Sequence, residues 1–246
     1  MKFRVDLLTR PFPGKTTAGA LALSTAALIR GNGSVVLFDT GGMAVFATVR
    51  NALSQLNVEL SDVTAIFCSH LHFDHIDNIA AFPNAKLYFG KTEWKTACEN
   101  IDQWTSLASL QYIEREREYC LLEDGDEFLP GMTAVYTPGH TWGHMSLLLI
   151  DEDGTVVLAG DAIKNRSELD LEESTQYVSM EDSQASIRRI KALASKILPG
   201  HDCWLEVAED GTVVPDGDLT LNVILPEGYA EKEFCMCIDK NSYKRP

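Results

Sequence analysis

Apolar residues in this chain fall into short blocks, and most blocks end in small or polar residues that turn the backbone. Residues 3–8 alternate and predict a strand, followed by a turn at Pro11, Pro13 and Gly14. Residues 20–30 and 34–38 flank Gly31-Asn32-Gly33 and predict a hairpin. The apolar spacing of 43–56 is helical, 63–68 is a buried strand, 75–82 a helix and 86–89 a short strand. Residues 91–118 are charged and helix-prone, and at helical spacing Trp94, Trp104, Leu107, Leu110, Tyr112 and Ile113 read as core anchors more readily than as a cleft lining. A strand ends at Thr137, 145–150 and 155–158 form a hairpin around 151–154, and 179–195 is an amphipathic helix with Ser179 as its cap. A last short strand reaches Leu198, and residues 212–239 alternate like strands. Within that tail, 234–238 predicts a strand carrying Cys235 and Cys237, one sulfur inward and one outward.

What leaves the ends of these strands is chemically selective. The strand at 63–68 runs into Ser69-His70-Leu71-His72-Phe73-Asp74-His75, which holds three of the six histidines in the chain. Side chains two apart on extended backbone point the same way, so His70 and His72 can face one cation while Asp74 and His75 turn to a neighbouring one. Other strand ends offer Asp39, then His140 after Pro138-Gly139, then Asp161 after Gly160, then His201 after Pro199-Gly200. Asp39-Thr40-Gly41-Gly42 also has the look of a phosphate cradle, but no Lys-Ser/Thr pair follows it. Asp39 is therefore expected to be a structural carboxylate or one that orients a ligand.

Charge and cysteine usage narrow the setting. The 246 residues are 45% apolar and carry a formal charge of −15. Nucleic acid is not an expected partner, because that binding is driven by lysines and arginines displacing counterions. Small anionic substrates stay open, since metal charge dominates locally. The cysteines show no spacing of a disulfide framework. Lys2, Arg4, Asp6 and Arg10 interrupt any signal-like run, and the block from Ala18 to Ile29 is too short to span a membrane. A soluble cytoplasmic protein without a membrane partner is expected.

Taken in order, Asp39-Thr40-Gly41, His70-x-His72-x-Asp74-His75, Pro138-Gly139-His140, Gly160-Asp161 and Pro199-Gly200-His201 resemble the metallo-β-lactamase-fold hydrolases over about residues 20–205. The resemblance implies an α/β fold, an αββα four-layer sandwich of two mixed β-sheets flanked by helices. A single domain over residues 1–246 follows, with 206–246 as a β-rich extension that covers the sandwich edge or makes a homodimer contact. It implies two divalent metal ions, one on His70, His72 and His140, the other on Asp74, His75 and His201, with Asp161 bridging. Zinc is the expected metal, although iron, manganese and cobalt suit the same ligands.

The implied activity is that of a hydrolase using a dimetal-bound hydroxide, with Asp74 also shuttling a proton. His72 stands where the flavodiiron reductases of the family carry a carboxylate, which favours hydrolysis. The segment from Thr137 to His144 and that from Ser69 to His75 look like those of the N-acyl-homoserine lactonases, so a small lactone or other ester is the expected substrate. His144 would then orient a ligand. Where such lactonases have a tyrosine three residues after the bridging Asp, this chain has Lys164. Two roles stay open for it, a catalytic charge beside the oxyanion or a solvated surface lysine; Tyr177 is a further candidate for the cleft. A thioester hydrolase of glyoxalase II type is the leading alternative, although no helical glutathione-binding domain fits after His201. A small phosphodiesterase comes next, and a metal-binding redox or sensor protein is the non-enzymatic reading.

Overall fold

The computed structural model describes residues 2–152, 154–228 and 231–240, so residues 153, 229, 230 and 241–246 of the expected hairpin loop and tail lie outside the described residues. The first half of the chain runs β1 (Arg4–Leu7), a small hairpin of β2 (Lys15–Thr16) and β3 (Gly19–Ala20), β4 (Ala27–Gly31), β5 (Ser34–Phe38), α1 (Phe46–Gln55), β6 (Ala65–Phe67), α2 (Phe73–Ile76), β7 (Lys86–Gly90), α3 (Lys91–Glu99), α4 (Leu107–Glu116) and β8 (Tyr119–Leu122). The second half runs β9 (Glu127–Leu129), β10 (Met132–Tyr136), β11 (Met145–Asp151), β12 (Gly154–Gly160), α5 (Arg166–Leu171), α6 (Met180–Leu193), β13 (Lys196–Pro199), β14 (Leu205–Val207) and β15 (Val213–Pro215). A separate ribbon of β16 (Leu219–Ile224) and β17 (Glu233–Ile238) follows.

Two mixed sheets result. One has the order β1-β4-β5-β6-β7-β8 and the other β15-β14-β13-β12-β11-β10-β9. Parallel pairing is confined to β5 through β8 and to β12 with β13. Strand alternation sorts the apolar residues into layers. Val36 and Phe38 of β5 and Ala65 and Phe67 of β6 face Leu147, Leu149, Leu158 and Leu198 of the other sheet. The neighbours Leu37 and Ile66 face outward, onto Val49 and Leu53 of α1 and Leu110 and Ile113 of α4. On the far side, Val157, Ala159 and Ile197 meet Ile187 and Ile190 of α6. The order helix, sheet, sheet, helix is the expected αββα sandwich, and it explains why these strands read as unbroken apolar runs: both faces are buried.

Three local expectations need correction, and the helix-prone segment 91–118 gains detail. The hairpin turn is right, with Gly31 opposite Ser34 and both Asn32 (φ 53°) and Gly33 (φ 78°) left-handed, as a two-residue turn of this hand requires. The strand before it is shorter than 20–30, however, beginning at Ala27. Residues 23–25 bend away and spend their backbone groups on distant loops, for instance Thr25 N on Gly200 O at 2.7 Å. The helix expected at 75–82 is one turn, Phe73–Ile76, followed by a 3₁₀ turn at Ile79–Ala81. Between them the Asn78 side chain donates to the carbonyls of Thr40, Gly41 and Gly42. The segment 91–118 is two helices, broken where Asp102 Oδ1 accepts from Trp104 N and Thr105 N. Lastly, Cys235 and Cys237 both point outward, since residues two apart on a strand share a face. Among the described residues, no helix is long and apolar enough to cross a membrane.

Candidate metal centre

The five strand ends converge at one edge of the sandwich. The loop after β6 brings His70, His72, Asp74 and His75; the loop after β10 brings His140; β12 and β13 end at Asp161 and His201. Their donor atoms form three overlapping groups, His70–His72–His140, His70–His75–Asp161 and Asp74–His75–His201, each within 4.8 Å. Asp161 stands between the outer two. Its Oδ2 is 3.4 Å from His140 Nε2, and its Oδ1 is 3.3 Å from His75 Nε2 and 3.4 Å from His201 Nε2. Asp74 Oδ2 lies 3.9 Å from His75 Nε2 and 3.7 Å from His201 Nε2.

Each imidazole is oriented from behind. His75 Nδ1 is 2.7 Å from Asp39 Oδ2, which places Asp39 in the orienting role. Ser69 Oγ donates to the same Asp39 oxygen at 2.7 Å, so its lone pair is free to accept from His70 Nδ1 at 3.0 Å. His140 Nδ1 is 3.0 Å from Gln176 O, and His201 Nδ1 is 3.0 Å from Leu23 O. His72 turns Nδ1 toward His140 Nε2 at 3.1 Å, while its Nε2 lies 3.3 Å from Asp102 Oδ2. Ser24 Oγ donates to Asp74 O. A buried pair of Arg166 and Asp202 (2.7 Å) ties the residue after His201 to the start of α5.

Fixing one nitrogen of each ring leaves the other aimed inward. His70 Nε2, His75 Nε2 and Asp161 Oδ1 are buried and have no hydrogen-bond partner among the described residues. A buried polar atom left unsatisfied costs about 1–3 kcal/mol, and several such donors converging on one place fit a cation as their common partner. The charges agree. Burial, with His75, His72 and His140 beside it, holds His70 well below the usual histidine range, and burial with Lys164 does the same to His140. Both are thereby neutral, as an imidazole must be to accept a metal ion. Burial opposes the charge on Asp161, yet His201, His75 and His140 outweigh it and keep the carboxylate ionised. His75 is the reverse case: burial would lower it, but Asp161, Asp74 and Asp39 raise it well above the usual value. Burial also pushes the Asp39 carboxyl up, against the pull of His75 and Ser69.

The remaining expected residues divide. His144 is buried outside the three donor groups, its Nδ1 on Thr137 Oγ1 at 3.0 Å and its ring centroid 5.2 Å from that of His70. It packs on His70 without hydrogen-bonding it, and burial pulls its pKa down to about 3. Lys164 is only 9% exposed, which removes the solvated reading. Its Nζ lies 3.2 Å from Gln176 O, 3.1 Å from His140 Nδ1 and 4.0 Å from Asp161 Oδ2. Tyr177 is exposed, and its neighbour Gln176 lines the cleft instead. That cleft, about 850 Å³, opens over the cluster between Phe73 and Trp104 on one wall and Lys164 and Gln176 on another. The two aromatic rings are stacked at 6.3 Å. Trp104 is thus a cleft residue, whereas Trp94 and Ile113 belong to the core as expected.

Sequence reasoning missed Asp102, Glu93 and Ser24. Asp102 carried a signal, an acid ahead of Trp104 and Thr105 that could cap a turn. Glu93 looks like any acid in the first turn of a helix, although it is fully buried and burial raises its pKa.

A two-sheet sandwich with helices outside and a His/Asp cluster at its edge defines the class of metal-dependent hydrolases to which the comparisons point. Residues 21–201 match the model of the metallo-beta-lactamase superfamily, and the chain belongs to that family. It is 31% identical over 157 residues to an N-acyl homoserine lactonase of Bacillus thuringiensis, covering 62% of this chain and 61% of that protein. The match therefore spans less than two thirds of that relative. It is also 31% identical over 182 residues to metallo-beta-lactamase domain-containing protein 1 of Xenopus laevis, covering 72% of this chain and 70% of that one. A solved B. thuringiensis structure with N-decanoyl-L-homoserine at its active site superposes with a TM-score of 0.66, at 23% identity over 80% of this chain and 92% of the other.

Proposed function

We propose that this protein hydrolyses a lactone or another small carboxylic ester, with a pair of divalent ions, zinc the expected metal, held in the strand-end cluster. The observation that carries the reading is Asp161, whose two oxygens face His140 on one side and His75 and His201 on the other. A carboxylate shared in this way fits two ions, one on His70, His72 and His140 and one on Asp74, His75 and His201. Bound there, such ions supply Lewis acidity and bring the pKa of a coordinated water from 15.7 to ~7.

The side chains around the cluster divide the remaining work. Asp74 lines the cleft beside His201, where its carboxylate can hold a proton and return it to the leaving oxygen. Lys164, held near Gln176 O, presents an ammonium to the negative charge that develops on the substrate oxygen, the task a tyrosine performs in the lactonases this chain resembles. Phe73 and Trp104 offer an apolar wall to the acyl part. The lactonase relative supports a carboxylic ester over a phosphodiester.

The test is hydrolysis by metal-reconstituted protein of an acyl-homoserine lactone, a simple γ-lactone, S-lactoylglutathione and bis-p-nitrophenyl phosphate, each beside Asp74→Asn. Lactone turnover is expected to lead the panel and to fall ~100-fold or more in the variant while most of the metal is kept. Preference for the thioester or phosphodiester would move the protein to that branch, and an Asp74→Asn variant as active as wild type would remove Asp74 from the mechanism.

A further inference from the structure

Glu93 joins two loops that no shared sheet connects. Its Oε1 accepts from Leu71 N at 2.9 Å, and its Oε2 accepts from Thr141 Oγ1 at 2.7 Å and Gly143 N at 3.2 Å. Leu71 sits between His70 and His72, and Thr141 directly follows His140. The three imidazoles of one donor group therefore come from two loops, one from each sheet. Met145 N to Ser69 O, at 2.8 Å, is another direct bond between these regions, and it lies at the strand bases.

The approach is close on both sides. A Cβ added at Gly143 would fall 1.9 Å from Glu93 N, and one added at Gly90 would fall 2.5 Å from Gly143 O. The start of α3 is thus pressed against the His140 loop, and Glu93 reaches past it to the His70 loop. All three hydrogens aimed at Glu93 need an acceptor, so both carboxylate oxygens are used. Glutamine in its place would turn an NH₂ group toward one of the donors.

We propose that Glu93 is a positioning residue for the His70–His72–His140 group: it sets the separation of the two loops and so how tightly that group holds its ion. The proposal rests on the reading of this cluster as a metal site, and not on the identity of the substrate.

Cobalt(II) titrated into metal-free protein, followed by visible absorption and chelator competition, gives two stepwise affinities and a spectrum without any substrate. In Glu93→Gln one ion is expected to bind 10- to 100-fold more weakly, with a changed cobalt spectrum, while the other keeps its affinity. Thr141→Val, which removes a single arm, should weaken the same ion by a smaller factor. Wild-type affinities and spectrum in Glu93→Gln would overturn the proposal even if its melting temperature fell, because the role would then be structural only. Should Glu93→Gln fail to fold, Thr141→Val decides alone, and unchanged cobalt binding in it overturns the proposal. Failure of every ester in the activity panel would leave these outcomes as they stand.

Discussion

The strand ends at the edge of the sandwich and the C-terminal ribbon are both built from strands with alternating side chains, yet they hold those side chains in opposite ways. At the strand ends, residues of the cluster are held by partners from distant parts of the chain: Asp39 for His75, Gln176 O for His140, Leu23 O for His201. In the ribbon, Leu219, Leu221 and Val223 of β16 and Phe234, Met236 and Ile238 of β17 share one apolar face, and of these only Leu219 is buried. A two-stranded ribbon with an uncovered apolar face is marginal by itself. Pairing fixes a backbone in both places, but precision at a side chain comes from what packs behind it.

The sharpest way to break this contrast is at Asp161. Asp161→Ala removes the carboxylate that faces His140 on one side and His75 and His201 on the other, and it should abolish stoichiometric binding of the proposed metal pair, with turnover falling ~1,000-fold or more, as metal analysis beside activity would show. Asp161→Ala with both ions retained would mean that the histidines and Asp74 hold them without it. Next in size is the core beneath the site. Phe67→Ala opens a gap between the sheets where Phe38 stacks on it and Phe128 packs at a tilt, and it should cost about 3–5 kcal/mol in denaturant unfolding. Phe234→Ser on the exposed ribbon face should stay within about 0.5 kcal/mol, and a cost above about 2 kcal/mol would show that something covers that face in solution.

The contrast also has a pH dependence. His144 is buried neutral, with its pKa lowered to about 3 from an ordinary 6.5. Below pH 6.5 the unfolded chain takes up this proton and the folded one does not. The stability that His144 contributes is therefore complete above 6.5 and is lost as the pH falls toward about 3, at no more than about 1.4 kcal/mol per pH unit. Urea midpoints of metal-free wild type and His144→Gln across pH 7.5 to 5 should converge on acidification, and parallel curves would count against it.

How much of this was visible in the sequence follows the same divide. The cluster was legible because each of its residues follows an apolar strand and a turn at a recognisable place, and the structure does bring His70 to His75, His140, Asp161 and His201 to one edge of the sandwich. The layers were legible because runs such as 63–68 are apolar on both faces. What orients the ligands was mostly hidden. Leu23 and Gln176 act through carbonyl oxygens, which every residue has. Glu93 acts through its burial, a property of how α3 meets a loop some 50 residues later. Lys164 was named from its position, but only the packing around Gln176 decided that it lies inside.

The lacing of residues 23–25 to the far end of the chain carries a consequence for assembly in time. The carbonyl that orients His201 is 178 residues away, and Thr25 Oγ1 bonds Pro199 O across 174. Closing loops of that length is slow and is repaid only when the distant contacts form. The loop from His70 to His75 has its donor residues as soon as β6 is placed, but the Asp74–His75–His201 group is whole only after that loop has met the end of β13. An ion held there as proposed would meet half of this group early in synthesis and the whole of it late, and would tie the loop after β6 to the end of β13.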